Sequence, residues 1–333
     1  MKEQFKTDDL TIGVVGLGLM GSSIVVSLLI TGHRVIGVAP ISGEKEIALP
    51  RIKKLLAQCE EASLLEASIG FYLSFLTISD DYNLLEHCEL VMECVIEKIE
   101  VKEVVYKKIT SVTYPDTIIG TNTSAIPISL LQRDISFPER FIGIHWAEPA
   151  FATRFMEITR GDQTSPKTTK IVYGLACQWG KEPTLLRKDI KGFITNRLMY
   201  AVYRETFAIV EEGTASMEEV DKAFRYDVGS WMMLMGIFRR LDFLGLEDFL
   251  IIYRNIFPKL NNSGKVPAIM QKLVAMKATG IQSRKGLYDY TTEEAGEWEK
   301  AFGEFNREIF QLAMSFASEK EVSSSNTKNG DVS

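Results

Sequence analysis

The amino-acid sequence predicts an α/β protein in which a doubly wound parallel sheet is followed by a second, all-α domain. Three observations lead to this fold class. Short apolar runs alternate with helical stretches up to about residue 188, a glycine-rich turn joins the first run to the first helix, and the pattern is helical from there on. A chain of 333 residues is too long for one small core and fits two domains. We therefore expect domains at residues 1–188 and 189–320, and a disordered tail at residues 321–333.

The glycine-rich turn follows a predicted strand at residues 10–15 and precedes a predicted helix at 22–31 and a strand at 34–38. It contains Gly16, Gly18, Leu19, Met20 and Gly21 in the spacing GxGxxG. In this context the spacing is typical of a Rossmann-type dinucleotide-binding unit. The first glycine makes the tight turn, the second lets the backbone approach a pyrophosphate, and the third lets the helix pack on the strand. The N-terminus of the helix then offers N–H groups to the phosphates.

One element of this fingerprint is missing at the end of the second strand. An acid there normally binds the adenosine ribose, but the sequence has Ala39 and Pro40, and no arginine follows at once to bind a 2'-phosphate. We expect NAD as the cofactor, with NADP not excluded. Ala39→Asp is expected to tighten NADH binding and weaken NADPH binding, unless another residue has taken over the ribose.

The next elements are a helical stretch at 44–68, strands at 72–78, 90–94 and 117–120, and a helix that begins at Glu97. The helical stretch carries a basic cluster of Arg51, Lys53 and Lys54, which is either a solvated face or a grip on a phosphorylated carrier. The strand at 117–120 leads into a polar turn at residues 121–124.

A candidate catalytic pair lies further on. Phe141, Ile142 and Ile144 predict a buried parallel strand that His145 ends, and Glu157 sits in a second apolar run. A buried carboxylate needs a partner, and a histidine backed by a carboxylate makes a general base of fixed tautomer. The alternative is a structural histidine at a strand end.

The second domain is predicted to begin with a helix at residues 192–213 and to close with a helix at 293–316. The run at residues 231–238 is so apolar that we expect pairing with a second copy of the chain, as a homodimer.

Composition excludes several classes of function. A net charge of -6 and a pI near 5.4 argue against nucleic acid, and no apolar run is long enough to span a membrane. The first ten residues lack the apolar region of a signal peptide, so we expect a cytoplasmic protein. Four cysteines without CxxC spacing and only three histidines make a metal site improbable, so we interpret the cysteines as small core residues.

Five separated motifs give the chain a family resemblance. They occur in the following order: the glycine-rich turn, ECVIEKIEVK from Glu93, TNTSAIPI from Thr121, FIGIHWAEP with FMEI, and DIKGFITNRL from Asp189. The sequence RKGLYDY follows them. Over about residues 10–290 the chain resembles the L-3-hydroxyacyl-CoA dehydrogenase family. The resemblance implies four catalytic residues and two further cofactor contacts, as follows: His145, Glu157, Ser124 and Asn196 for catalysis, and Glu97 and Lys102, beside Ser124, for the cofactor.

The activity that the resemblance implies is hydride transfer between a nicotinamide cofactor and a 3-hydroxyacyl-CoA or 3-ketoacyl-CoA, in fatty acid or butanoate metabolism. His145 would take the hydroxyl proton, Glu157 would hold the imidazole, and Ser124 and Asn196 would bind the reacting oxygen or the thioester carbonyl. The alternatives are a dehydrogenase of a non-CoA hydroxy acid, similar to those acting on gulonate or carnitine, and a weakly catalytic dinucleotide-binding protein.

The chain departs from the family pattern at four places. Besides Ala39, Glu148 replaces an asparagine, Gln282 replaces a lysine, and Gly236, Ile237 and Phe238 stand in place of GPF. Glu148 is expected to lie near His145 and to favour the protonated imidazole.

Overall fold

The computed structural model describes residues 10–298, together with residues 300–302, 304, 305 and 308, and describes residues 233–235 by their backbone alone. Residues 10–194 form one compact unit and residues 195–300 a second. The expected disordered tail lies outside the described residues, as does the end of the predicted closing helix, whose described residues from 292 onward are helical.

The first unit is built on one eight-stranded sheet with the order β3-β2-β1-β4-β5-β6-β7-β8. The strands are β1 Thr11–Val15, β2 Arg34–Val38, β3 Leu76–Ser79, β4 Leu90–Glu93, β5 Ile118–Thr121, β6 Phe141–Trp146, β7 Phe155–Thr159 and β8 Glu182–Leu186. All pairings are parallel except that of β6 with β7. The predicted doubly wound Rossmann-type sheet is confirmed. The antiparallel pair arises because the link from Trp146 to Phe155 is too short for the crossover that a parallel pair requires.

Helices cover both faces of this sheet. They are α1 Leu19–Ile30, α2 Glu44–Glu61, α3 Ile69–Leu73, α4 Ile99–Val112, α5 Ile128–Leu131 and α6 Pro166–Gln178. Because neighbouring residues of a strand point to opposite faces, Val14 and Val15 lie in different apolar clusters, and both are fully buried.

The boundaries of α2, α3 and β3 differ from the prediction. The helical stretch expected at 44–68 ends at Glu61. Two residues later Ser63 has a left-handed conformation with φ 58°, which does not continue a helix. A new helix begins after Ser68, whose side chain accepts the N–H of Phe71, so Tyr72 is helical and the strand starts only at Leu76.

The second unit is helical, as predicted. Its helices are α7 Thr195–Glu211, α8 Met217–Ala223, α9 Gly229–Leu244, α10 Leu246–Ile256 and α11 Ala268–Ala275. Gly192 and Phe193 have positive φ, which delays the start of α7 to Thr195. Gly236, with φ 70°, breaks α9 in the middle. None of the helices among the described residues has the length and apolar character needed to cross a bilayer.

Candidate active site

The glycine-rich turn has the geometry that a dinucleotide requires. Gly16, with φ 91°, donates its N–H to Val38 O at 2.9 Å, and a Cβ on Gly21 would lie 1.8 Å from Gly16 O. Apart from Gly18 and its two chain neighbours, no atom of the described residues lies within 4 Å of the Cβ position of Gly18, so the backbone is open to a ligand there. Helix α1 begins at Leu19, three residues earlier than predicted, and this places Leu19, Met20 and Gly21 in its first turn. First-turn N–H groups have no acceptor within the helix, so these residues suit a pyrophosphate.

Two side chains of α2 hold the peptide of Leu17, between the first two glycines. Glu44 Oε1 accepts the Leu17 N–H at 2.8 Å, and Arg51 donates to Leu17 O at 2.8 Å. Of the predicted basic cluster, Lys53 and Lys54 are exposed. Arg51 instead donates to the glycine-rich turn at Leu17 O. The three basic residues therefore do not form one surface.

Ala39, at the position of the missing acid, is 2% exposed and packs in an apolar cluster with Leu17 and Ala48. A carboxylate at this position would be buried among apolar side chains, which is costly. Ala39→Asp is therefore expected to destabilise the fold, and the buried carboxylate is not expected to give the gain in NADH affinity that the sequence suggested.

The predicted pair of His145 and Glu157 is brought together by the sheet. The two residues are direct partners in the antiparallel register of β6 and β7, and His145 Nδ1 lies 2.9 Å from Glu157 Oε2. Strand β6 continues to Trp146, so His145 does not end the strand as predicted. The bond to Nδ1 directs the other ring nitrogen, Nε2, away from Glu157, which is the arrangement of a general base with a fixed tautomer.

The surroundings of the pair keep it in place and limit its contact with water. The Glu157 side chain is 1% exposed and the His145 side chain is 14% exposed. Glu157 Oε1 accepts the N–H of Ile194 at 3.1 Å, and the rings of Phe155 and Phe193 lie 5.6 Å and 5.9 Å from the imidazole. A carboxylate held in this way orients the imidazole, because few water molecules compete for the hydrogen bond.

A buried network beside the site was not identified from the sequence. Glu93, at the end of β4, accepts Lys102 Nζ at 2.8 Å, the Tyr106 hydroxyl at 2.7 Å and the Thr121 hydroxyl at 2.7 Å. Lys102 is 1% exposed and also lies 3.3 Å from Glu97. The resemblance implied that Lys102 contacts the cofactor, but carboxylates enclose its ammonium group. A contact of Lys102 with the cofactor stays a prediction.

Glu97 binds the polar turn that follows β5. Its Oε1 accepts the Thr123 hydroxyl and the N–H groups of Ser124 at 3.0 Å and Ala125 at 3.3 Å. Burial alone would raise the pKa of Glu97, but the hydrogen bond from Thr123 and the charge of Lys102 outweigh it, so the pKa is lowered. Glu97 is thus held ionised and fixes the turn that carries Ser124.

The same turn reaches the catalytic strand, since Asn122 Oδ1 accepts the N–H of Trp146 at 2.9 Å. Ser124 lies two residues beyond Asn122 in this turn, after the end of β5. Asn196 lies in the first turn of α7 and is 9% exposed, and its role in the site stays a prediction.

Glu148 follows β6 and contacts α1. Its carboxyl group bonds to Ser23, and its Oε2 is buried without a hydrogen-bond partner among the described residues. Burial raises its pKa to about 7, against the smaller opposing effect of Ser23. Because such a carboxyl carries only part of a negative charge at neutral pH, its expected effect on His145 is weakened.

Comparison with known proteins places this geometry in a family. The NAD-binding domain model of 3-hydroxyacyl-CoA dehydrogenase matches residues 11–190, and the model of the C-terminal domain matches residues 192–290. A 5-formyl-3-hydroxy-2-methylpyridine 4-carboxylate 5-dehydrogenase of Mesorhizobium japonicum is 31% identical over 287 residues, 85% of this chain and 91% of that protein. A probable 3-hydroxybutyryl-CoA dehydrogenase of Deinococcus radiodurans is 30% identical over 283 residues, 84% of this chain and 99% of that protein.

Among solved structures, a 5-formyl-3-hydroxy-2-methylpyridine 4-carboxylic acid 5-dehydrogenase, described as an NAD+-dependent dismutase, is similar with a TM-score of 0.82 at 28% identity. The match covers 91% of this chain and 97% of that one. The first unit is thus an NAD-binding domain, and its glycine-rich turn fits that cofactor. Both domains of the family are present in their order, and the chain belongs to the 3-hydroxyacyl-CoA dehydrogenase family of NAD-dependent oxidoreductases.

Proposed function

We propose that this protein interconverts a 3-hydroxyacyl-CoA and the corresponding 3-ketoacyl-CoA, with His145 as general base and acid. The observation that carries the proposal is the 2.9 Å contact between His145 Nδ1 and the buried Glu157. This contact orients Nε2 for proton transfer to and from a substrate hydroxyl. NAD, when bound, supplies the hydride acceptor or donor.

Each of the other proposed residues has a separate task. Gly16, Gly18 and the first turn of α1 bind the pyrophosphate, and Glu97 holds Ser124 in position through its backbone. Ser124 and Asn196 hydrogen-bond the reacting oxygen or the thioester carbonyl and so stabilise the charge that develops there. In oxidation His145 removes the hydroxyl proton, and in reduction it returns a proton to the ketone oxygen.

The coenzyme A part of the substrate is supported by the family models and by the 3-hydroxybutyryl-CoA dehydrogenase relative. A substrate without coenzyme A is the second candidate. Two observations favour it: Arg51 binds Leu17 O and so is engaged away from a phosphorylated carrier, and one of the similar solved structures is that of a pyridine carboxylate dehydrogenase.

One absorbance assay at the nicotinamide band separates the two candidates. The protein is supplied with NADH and either acetoacetyl-CoA or acetoacetate, and in a third arm with NAD and 5-formyl-3-hydroxy-2-methylpyridine 4-carboxylate. We expect faster turnover of the thioester. Equal rates for acetoacetyl-CoA and acetoacetate would contradict the thioester preference, and turnover in the third arm alone would establish the second candidate.

We also propose that the chain acts in the cytoplasm and that its two domains divide near residue 189.

We further propose that the chain forms a homodimer through residues 195–300. Large apolar side chains of this unit are exposed, among them Phe238 at 83%, Phe243 at 76% and Ile251 at 60%. The side chains of residues 233–235, part of the apolar run that suggested pairing, lie outside the described residues. Light scattering at micromolar concentration should give twice the chain mass, and a monomer would contradict the proposal.

A further inference from the structure

Glu44 occupies a position from which it can replace the acid that is missing at Ala39. The chain leaves β2 at Val38, and the left-handed Gly43, with φ 82°, starts α2 so that Glu44 is its first residue. Glu44 Oε1 then reaches back to the Leu17 N–H at 2.8 Å. This bond spans 27 residues and places the carboxylate at the glycine-rich turn, next to the carboxyl end of β2.

The second oxygen of this carboxylate lacks a donor. Glu44 Oε2 is buried, and no described residue hydrogen-bonds to it. A buried carboxylate oxygen without a donor is costly, so such an atom calls for a partner from outside the chain. The hydroxyl groups of a ribose are donors of the required kind.

Tyr82 supplies a second unpartnered atom near Glu44. Its hydroxyl is buried without a hydrogen-bond partner among the described residues. Burial, and then the charges of Glu44 and Glu93, raise the pKa of Tyr82 to about 12, so it stays protonated and can donate. A ribose hydroxyl both donates and accepts, and so it can serve a carboxylate and a phenol together.

We propose that Glu44 binds the adenosine ribose of NAD and makes the site select NAD over NADP. The carboxylate accepts a ribose hydroxyl at Oε2, and its charge repels the 2'-phosphate of NADP. Glu44 acts as a specificity-determining residue supplied by the start of α2, in place of the usual acid at the end of β2. The proposal rests on the NAD-binding domain and not on the hydroxyacyl substrate, so failure of the substrate assay would leave it intact.

The test measures the dissociation constants of NADH and NADPH by nicotinamide fluorescence for the full-length protein and for Glu44→Gln. Glutamine keeps an oxygen for the Leu17 N–H and places an uncharged NH2 group, which donates and does not accept, at the position of Oε2. NADH should bind about tenfold more weakly, because the charged acceptor of the ribose hydroxyl is lost, while NADPH should bind as well as before or better. Glu46→Gln is the matched control. It removes the same charge from an exposed residue of α2, and should leave both constants within about twofold.

Competition by ADP-ribose and its 2'-deoxy analogue locates the effect at the adenosine ribose. The native protein should bind the deoxy analogue about tenfold more weakly, and Glu44→Gln should bind both almost equally.

Unchanged NADH affinity in Glu44→Gln would overturn the proposal. Equal losses for NADH and NADPH would also overturn it, since they would mean that Glu44 only braces Leu17. If Glu44→Gln does not fold, Glu44→Asp replaces it: the shorter acid should weaken NADH binding, and full retention would overturn the proposal.

Discussion

Removal of the Lys102 ammonium group separates a structural role from a cofactor contact. In Lys102→Met the apolar stem is retained, but Glu93, which is fully buried, loses its only cation within 4 Å among the described residues. Breaking a buried ion pair from one side typically costs about 3–5 kcal/mol, because one charge is left uncompensated. Glu93 keeps its bonds from Tyr106 and Thr121, so we expect the lower end, about 3 kcal/mol.

For a unit of this size that cost corresponds to a fall in Tm of about 6–12 °C. Thermal unfolding of the cofactor-free protein, followed by circular dichroism, measures it. Lys107→Met, on the exposed side of the same helix, is the control and should change Tm by less than about 2 °C. A structural role for Lys102 would be contradicted if Lys102→Met had the same Tm as Lys107→Met but had lost NADH binding. In that case the ammonium group would act on the cofactor, as the family resemblance implied.

Gly21→Ala should abolish measurable NADH binding by fluorescence, because its Cβ would lie 1.8 Å from Gly16 O, and native affinity in this variant would contradict the described turn. Glu148→Gln should raise Tm increasingly as pH rises. The folded protein holds the Glu148 proton up to a pKa of about 7, whereas the unfolded chain releases it near 4.5, so the native protein loses stability between these values relative to the variant. The gain in Tm should be smallest near pH 4.5 and constant above about pH 8, and a gain independent of pH would contradict the shift.

The local parts of the fold were predictable from the sequence. Strand β2 has the predicted bounds, because its residues are apolar and flanked by clear turn signals. The pairing of β6 with β7 was not predicted, although His145 and Glu157 were, since a pattern of apolar residues does not contain the direction of the next strand. The short link between these strands is the signal that could have shown it.

Contacts between distant residues account for the parts of the site that sequence reasoning missed. In the sequence, Glu93 is the last residue of an apolar strand. Its hydrogen-bond partners Lys102, Tyr106 and Thr121 come close to it only in the folded chain. In the sequence, Arg51 is one member of a charged cluster. In the structure it donates to the main-chain oxygen of Leu17, 34 residues earlier. In both cases residue type was informative, but the partner was set by tertiary packing.

In the proposed reaction His145, held by Glu157, transfers the proton. The most direct test is the kcat of His145→Gln with the substrate that the native protein turns over, measured together with the dissociation constant of NADH. We predict that kcat falls by roughly 10²-fold or more with NADH binding nearly unchanged, and that Glu157→Gln lowers kcat by a smaller factor. Near-native turnover in His145→Gln would contradict this assignment of the active site.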